Sequence, residues 1–205
     1  MVKKHLSTGD LYLHADLHGA ASCALKRVDG LELGGDDDIA SEGVCNFRIV
    51  QSINGAPEDL QMLSEDEKGE AAALAACWSR AWGAGSAAAT AFHVRPAQVS
   101  KATESGESLG RGSFVVRGTR GWHRDLVLKM AIGLGTVNGI PMPVPGSVSA
   151  IGNLCSRWAE ITPGKEKKED IARRISKATG LDHGEVLAAL PSGNCDLIDH
   201  GLLKA

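Results

Sequence analysis

Gly9-Asp10-Leu11-Tyr12-Leu13-His14-Ala15-Asp16-Leu17-His18-Gly19-Ala20-Ala21-Ser22 decides how this 205-residue chain is read. From Leu11 to Leu17 apolar and polar residues alternate, which is the period of a half-buried strand and not of a helix. The alternation predicts Leu11, Leu13, Ala15 and Leu17 on one face, with Tyr12, His14, Asp16 and His18 on the other. Three ionisable groups in a row are more than a merely wetted strand face requires. Gly19 ends the pattern, and the small residues Ala20, Ala21 and Ser22 let other backbone come close. The stretch reads as the floor of a site, with His14, Asp16 and His18 shaping a polar pocket.

Four uses of those three side chains stand open at this point. Metal binding is opposed by geometry: alternate residues on a strand lie about 6.6 Å apart, while zinc ligand atoms lie within about 2.0–2.3 Å of one ion. A regular strand therefore converges three such ligands poorly, and no metal ligand or cofactor is assigned. An acid–base pair in which Asp16 orients a histidine is chemically sound, but no nucleophile stands near it, and no catalytic residue is assigned. A polar cluster hydrogen-bonded to neighbouring loops is the third use. The fourth is direct contact with RNA, since imidazole hydrogen-bonds phosphate and stacks on bases.

Composition narrows the class. The chain is 43% hydrophobic with eight aromatics, so its core rests on Ala, Leu, Val and Ile. No apolar run approaches the roughly 18 residues of a membrane span, and Met1-Val2-Lys3-Lys4-His5 lacks the apolar core of a secretion signal. The five cysteines are scattered without a Cys-x-x-Cys pair, which predicts reduced, mostly buried thiols in a cytoplasmic protein. The net charge of -3 conceals segregation. Residues 29–70 hold twelve acids against two bases, whereas residues 71–129 hold eight bases against three acids and residues 157–177 seven against four. An acidic average therefore does not exclude an anionic partner.

Local signals place the other elements. Cys23–Lys26 reads as a second strand or a short helix, residues 29–42 as an acidic surface loop, and Phe47–Ile53 as a strand before the turn pair Asn54-Gly55. Ser64-Glu65-Asp66-Glu67 is a capping box. Ala71, Leu74, Ala75, Trp78 and Trp82 then recur at helical spacing as a core-facing stripe, with Arg80 off it and Gly83 as the stop. Thr90–Arg95 and Ser113–Gly118 read as strands, as does Leu126–Leu134. Three prolines argue against regular structure in Ile140–Gly146. A helix is predicted over Val148–Trp158, a strand over Ala159–Thr162, and a helix opening at Pro163-Gly164-Lys165 with Lys167 and Lys168 in its first turn. A glycine turn, free N–H groups and three lysines would make a phosphate cradle there, against the alternative of a solvated helix start. A short helix over Glu185–Leu190 and a last strand over Cys195–Ile198 follow.

Several of these stretches resemble one family. Gly9–Ala20 is similar to the signature of the NFACT-R domain of the NEMF/FbpA (fibronectin-binding protein A-like) family, and Ala75-Ala76-Cys77-Trp78-Ser79-Arg80-Ala81-Trp82 to its matching helix. The family's Pro-x-Gln-Val-Ser-Lys, Ser/Thr-Gly-Glu and Gly-Ser-Phe-x-x-Arg-Gly segments are matched at Pro96–Lys101, Ser105–Glu107 and Gly112–Gly118. His93 and Ser108 stand where the family often has aromatics. Beyond Arg124, including Pro163–Lys168, the chain resembles the C-terminal domain of archaeal and eukaryotic members. The resemblance also implies that the chain starts inside the family pattern, without its N-terminal domain, coiled coil and opening NFACT-R strands.

The expected fold is α+β: a mostly antiparallel sheet packed by helices over residues 1–124, the NFACT-R module, followed by a smaller α/β module over 125–205. The resemblance implies a non-enzymatic RNA-binding role in ribosome-associated quality control. The partners it implies are tRNA and the large ribosomal subunit, with ribosomal proteins as further contacts and no membrane. The RNA-contacting residues expected are Lys101, Arg111, Arg117, Lys165, Lys167 and Lys168. Two alternatives stand beside this: a metal-dependent or acid–base RNA nuclease centred on His14, Asp16 and His18, and a protein-docking module using the acidic 29–70 segment.

Overall fold

The alternation at Leu11 does produce a strand, β1 (Leu11–Ala15), and its two faces go to different places. The computed structural model describes residues 6, 9–26, 31–33, 45–49, 63–101, 114–137 and 139–204. Leu11, Leu13 and Ala15 lie in the main core, while Tyr12 joins a smaller cluster with Phe92, Val94 and Val99. The strand is shorter than the alternation suggests. After Ala15 the chain turns: Leu17 N–H donates to the Ala15 carbonyl at 2.7 Å and Ala20 N–H to that of Leu17 at 3.2 Å. Leu17, expected to point inward, is 39% exposed.

β1 pairs antiparallel with β2 (Cys23–Leu25) and with β5 (Ala88–Val94), and β5 pairs with β8 (Gly121–Val127). The result is a four-stranded sheet in the order β2-β1-β5-β8. An Asp10–Lys26 ion pair ties the start of β1 to the chain leaving β2. A short β6 (Val99–Ser100) and β7 (Val115–Val116) pair with each other beside this sheet. The expected division at residue 124 falls inside β8, where Arg124 and Asp125 bulge opposite Thr90. Asp125 there takes a left-handed backbone, φ +53°.

The capping box forms as read. Glu67 N–H donates to Ser64 Oγ at 3.2 Å and Ser64 N–H to the Glu67 carboxylate at 2.8 Å. The helix it starts, α1 (Glu65–Cys77), lays Ala72, Ala75 and Ala76 against one face of the four-stranded sheet, where small side chains allow close approach. It does not run through to Trp82. Ser79 Oγ accepts the Ala81 N–H at 3.3 Å and caps a separate short helix, α2 (Arg80–Gly83), which turns Trp82 fully into the core.

The second sheet has six strands, centred on β9 (Met130–Val137). β9 pairs with β11 (Trp158–Glu166) and, in parallel, with β4 (Cys45–Ile49); β12 (Cys195–His200) lies outside β11, and β3 (Leu31–Leu33) outside β4. Three expectations are corrected here. Leu31–Leu33, read as loop, is strand. Ile140–Gly146, read as irregular, is strand β10, paired with β9 along its whole length. Its prolines at 141, 143 and 145 share one register parity, so their missing donors all face away from β9, as an edge strand permits. Pro163–Glu166, read as a helix start, continues β11 through a bulge, and α4 (Lys168–Thr179) begins only after it.

Helices α3 (Val148–Leu154), α4 and α5 (His183–Ala189) cover this sheet. Met130, Ile132, Ile161, Ile171, Ile175 and Val186 join Leu11, Leu13 and Trp82 in one buried cluster, so a continuous core spans both sheets. Cys77, Cys155 and Cys195 are buried free thiols and Cys23 is half-buried; burial pushes the Cys77 thiol up to about 12. Among the described residues no helix is long and apolar enough to cross a membrane.

Candidate nucleic-acid interface

The four-stranded sheet has one face closed by α1; the other, open only in part, packs Tyr12, Phe92 and Val94 against Val99, Phe114 and Val116 and leaves a groove beside them. On the open face the strand register sets His14 opposite Phe92 and Phe92 opposite Trp122, a row of rings across β1, β5 and β8. Ring centroids are 5.8 Å apart for His14–Phe92 and 5.4 Å for Phe92–Trp122, and Tyr12 lies parallel to His14 at 6.2 Å. The Arg120 guanidinium sits over both Phe92, at 4.7 Å, and Trp122, at 5.6 Å. Phe92 is thereby buried, whereas Trp122 remains 41% exposed.

This row borders a groove of about 740 Å³ whose lining includes His14, Asp16, His18, Phe92, Phe114 and Arg120. The turn after β1 carries Asp16 and His18 to the rim, both exposed, while His14 stays half-buried on the strand. Tyr12 Oη and Ser22 Oγ lie 2.9 Å apart and close one end. Burial raises the Tyr12 pKa, with the Ser22 hydrogen bond acting in the opposite direction, so the phenol stays neutral at physiological pH. Gly19 makes the turn with φ +77°, and a Cβ added there would meet the Arg80 guanidinium at 3.4 Å. Arg80, placed at the first position of α2 by its Ser79 cap, therefore backs the turn that holds His18.

The expected cations distribute unevenly around this groove. Lys101 Nζ lies 5.7 Å from the ring centroid of Phe114, a lining residue, and so stands at the rim. Arg117 is exposed just after Val116, another lining residue, with its N–H donated to the Gln98 carbonyl. Arg111 lies outside the described residues. Lys165, Lys167 and Lys168 belong to the end of β11 and the start of α4, and none of them lines the groove. The N–H groups expected to be free at Pro163–Lys165 are committed internally: Gly164 N–H donates to the Asn194 carbonyl and Lys165 N–H to the Asp196 carboxylate at 3.0 Å. Lys168 Nζ donates to the Leu190 carbonyl, Arg174 pairs with Glu166, Arg173 with Asp170, and Arg157 binds carbonyls of the C-terminal residues. Lys165 and Lys167 are exposed.

Arg80 and Arg120 are the residues that sequence reading passed over. Arg80 had a signal in its position off the apolar stripe. Arg120 had none beyond its place one residue before a strand, since its position over Phe92 and Trp122 depends on the cross-strand neighbours that β8 acquires. His93 is not part of the groove. It faces α1 on the closed side, where its Nδ1 lies 2.8 Å from His123 Nε2 beside Glu65 and Lys68. Among the described residues no three His, Cys, Asp or Glu side chains are placed to hold one metal ion.

The α+β domain thus carries a helix on one sheet face and, on the other, a groove whose described lining combines aromatic rings, two histidines, Asp16 and Arg120, with Lys101 and Arg80 nearby. Residues 1–118 match the NFACT protein RNA binding domain, and the chain belongs to that family. It is 26% identical over 201 residues to the archaeal Rqc2 homolog aRqcH of Methanocaldococcus jannaschii, across 97% of this chain and 25% of that protein. It is 34% identical over 120 residues to the ribosome quality control complex subunit NEMF of Homo sapiens, across 58% of this chain and 8% of that one. The homolog of that subunit in Drosophila melanogaster is 27% identical over 134 residues, 65% of this chain and 10% of its own. The chain thus spans a quarter or less of each of these relatives, and the likeness to aRqcH continues through both sheets. No solved structure matches it.

Proposed function

We propose that the protein is a non-catalytic RNA-binding component of ribosome quality control, gripping RNA through the open face of the four-stranded sheet, with tRNA and large-subunit ribosomal RNA as its ligands. The observation that carries this reading is the gathering of His14, Asp16, His18 and Arg120 around one groove, with Arg80 behind its turn and Lys101 on its rim. Arg80 from α2, Arg120 from just before β8 and Lys101 from just after β6 come near it although they are far apart in sequence. The family match and the names of the relatives support the same direction. The exposed Lys165 and Lys167 supply a second, weaker anion contact near the β11–α4 junction.

Affinity for tRNA and for a large-subunit RNA fragment, measured from 50 to 300 mM salt, tests the reading. Three phosphate contacts by Arg80, Arg120 and Lys101 would weaken binding by ~40-fold over that range. An affinity that does not respond to salt, or no binding at 50 mM, would refute it.

A further inference from the structure

The groove's cations account for phosphate, but its aromatic floor does not. A duplex presents its phosphates outward and keeps its bases stacked, so it has nothing to place against a row of rings. We infer that the open sheet face holds an unpaired nucleotide, with its base stacked on the Arg120–Trp122 platform and the adjoining phosphate held by the Arg80 and His18 side of the turn. This rests on the RNA-binding reading and deepens it from a polyanion in general to single-stranded RNA.

Four observations carry the inference. First, His14, Phe92 and Trp122 stand opposite one another on neighbouring strands with Phe92 buried beneath the Arg120 guanidinium, so the surface offered to a base is that guanidinium and the exposed part of Trp122. Second, Trp122 is 41% exposed beside the groove although the fold has a continuous core available, and it lies edge-on to Phe92 at 65°. Third, Arg120 is fixed over two rings, which presents a flat, charged surface at the edge of the groove. Fourth, the volume of about 740 Å³ falls in the range of clefts that enclose ligands of nucleotide size. Asp16, the one carboxylate among the described lining residues, opposes a bare phosphate at its own position. As an acceptor it suits a base amino group or a ribose 2′-hydroxyl, both of which a nucleotide brings and a phosphate alone does not.

The test uses the full chain and a fluorescent 12-nucleotide single-stranded RNA, against a hairpin that contains the same sequence in its paired stem. The single strand should bind at least about tenfold more tightly, and Trp122→Ala should cost it about tenfold or more, since stacking carries that much per base. Arg120→Lys keeps the charge and loses the plane, so it should weaken the single strand several-fold without changing the salt slope. Trp122→Phe, which restores a flat ring, should recover most of the loss and shows that the alanine effect is not misfolding. Equal or tighter binding of the hairpin, or full affinity in both Trp122→Ala and Arg120→Lys, overturns the stacking inference while leaving RNA binding intact. No binding to either RNA at 50 mM salt overturns both together.

Discussion

Acidification below the ordinary histidine range should destabilise this fold through one hydrogen bond. His93 and His123 face each other at 2.8 Å between the four-stranded sheet and α1, and one ring must be neutral to accept the other's proton. Burial lowers both pKa values; Glu65 pulls them up and Lys68 pushes them down, and burial outweighs their balance. A histidine whose folded pKa lies below its unfolded value contributes stability that is complete above the unfolded value, about 6.5, and lost as pH falls toward the folded one. Each proton bound by the unfolded chain and refused by the fold gives a slope of about 1.4 kcal/mol per pH unit. The bridge refuses one such proton, and the half-buried position of His93 reduces the slope below that ceiling. Urea midpoints followed by circular dichroism at pH 7.5, 6.5 and 5.5 measure it. For an m-value of about 2 kcal/mol/M, the drop from pH 6.5 to 5.5 stays below ~0.5 M, and the double variant His93→Gln/His123→Gln should lose most of that dependence. Hydrogen bonds from Lys68 to Glu65 and from Ser64 to Glu67 lower the pKa of each carboxylate. What they contribute is present above the ordinary carboxylate range and lost on further acidification, outside the histidine window. An identical pH slope in the double variant would refute the argument.

Three further outcomes test particular readings of the fold. Gly164→Ala puts a Cβ 2.4 Å from the backbone nitrogen of Asp196, which cannot swing away as a side chain could. The β11 bulge must open, at a cost of about 1–3 kcal/mol read from urea denaturation. Ser64→Ala removes the first-turn cap of α1 and should cost about 1 kcal/mol, whereas Ser64→Asp should retain most of it. Pro143→Ala should shift stability by less than about 0.5 kcal/mol, because the restored N–H faces the open edge of β10. Val144→Pro, one residue on, removes a donor to β9 and should lower the thermal midpoint by many degrees.

What the sequence disclosed and what it hid divide along physical lines. β1, the capping box and the small-residue face of α1 were legible because each is a local pattern: alternation, a four-residue motif, a run of alanines. β10 was hidden because three prolines forbid most strands and permit one kind, an edge whose donors face outward, and edge position is a property of the assembled sheet. The Pro163–Lys168 segment misled for a related reason. Gly164 looked like a turn that opens a helix toward phosphate, but its missing Cβ serves the approach of Asp196 from the neighbouring strand. The alternation grouped His14, Asp16 and His18, which line one groove, but gave no sign of Arg120 beside them. Arg120 arrives there through pairings of β1 with β5 and β5 with β8, and Arg80 comes beside the turn on α2, placements that no spacing along the chain reveals.

The two faces of that sheet make stability and binding separable by mutation. β5 alternates between them: Phe92 points to the open groove and His93, its neighbour, to α1. Arg120→Gln on the open side removes one cation and two ring contacts, each worth about 0.5–1 kcal/mol at exposed sites. It should flatten the salt dependence by about 0.7 in log–log slope for single-stranded RNA, and the two lost ring contacts should lower the urea midpoint by up to ~1 M. His123→Gln on the closed side leaves the His93 imidazole without its partner, at about 1–3 kcal/mol, and should leave both RNA affinity and salt slope unchanged at temperatures where the variant is folded. Combined, the two changes should add in both measurements, since they touch no shared side chain. A loss of RNA affinity in folded His123→Gln would mean that the groove's shape depends on the helix-covered face, and the open face could then no longer be treated as a preformed site.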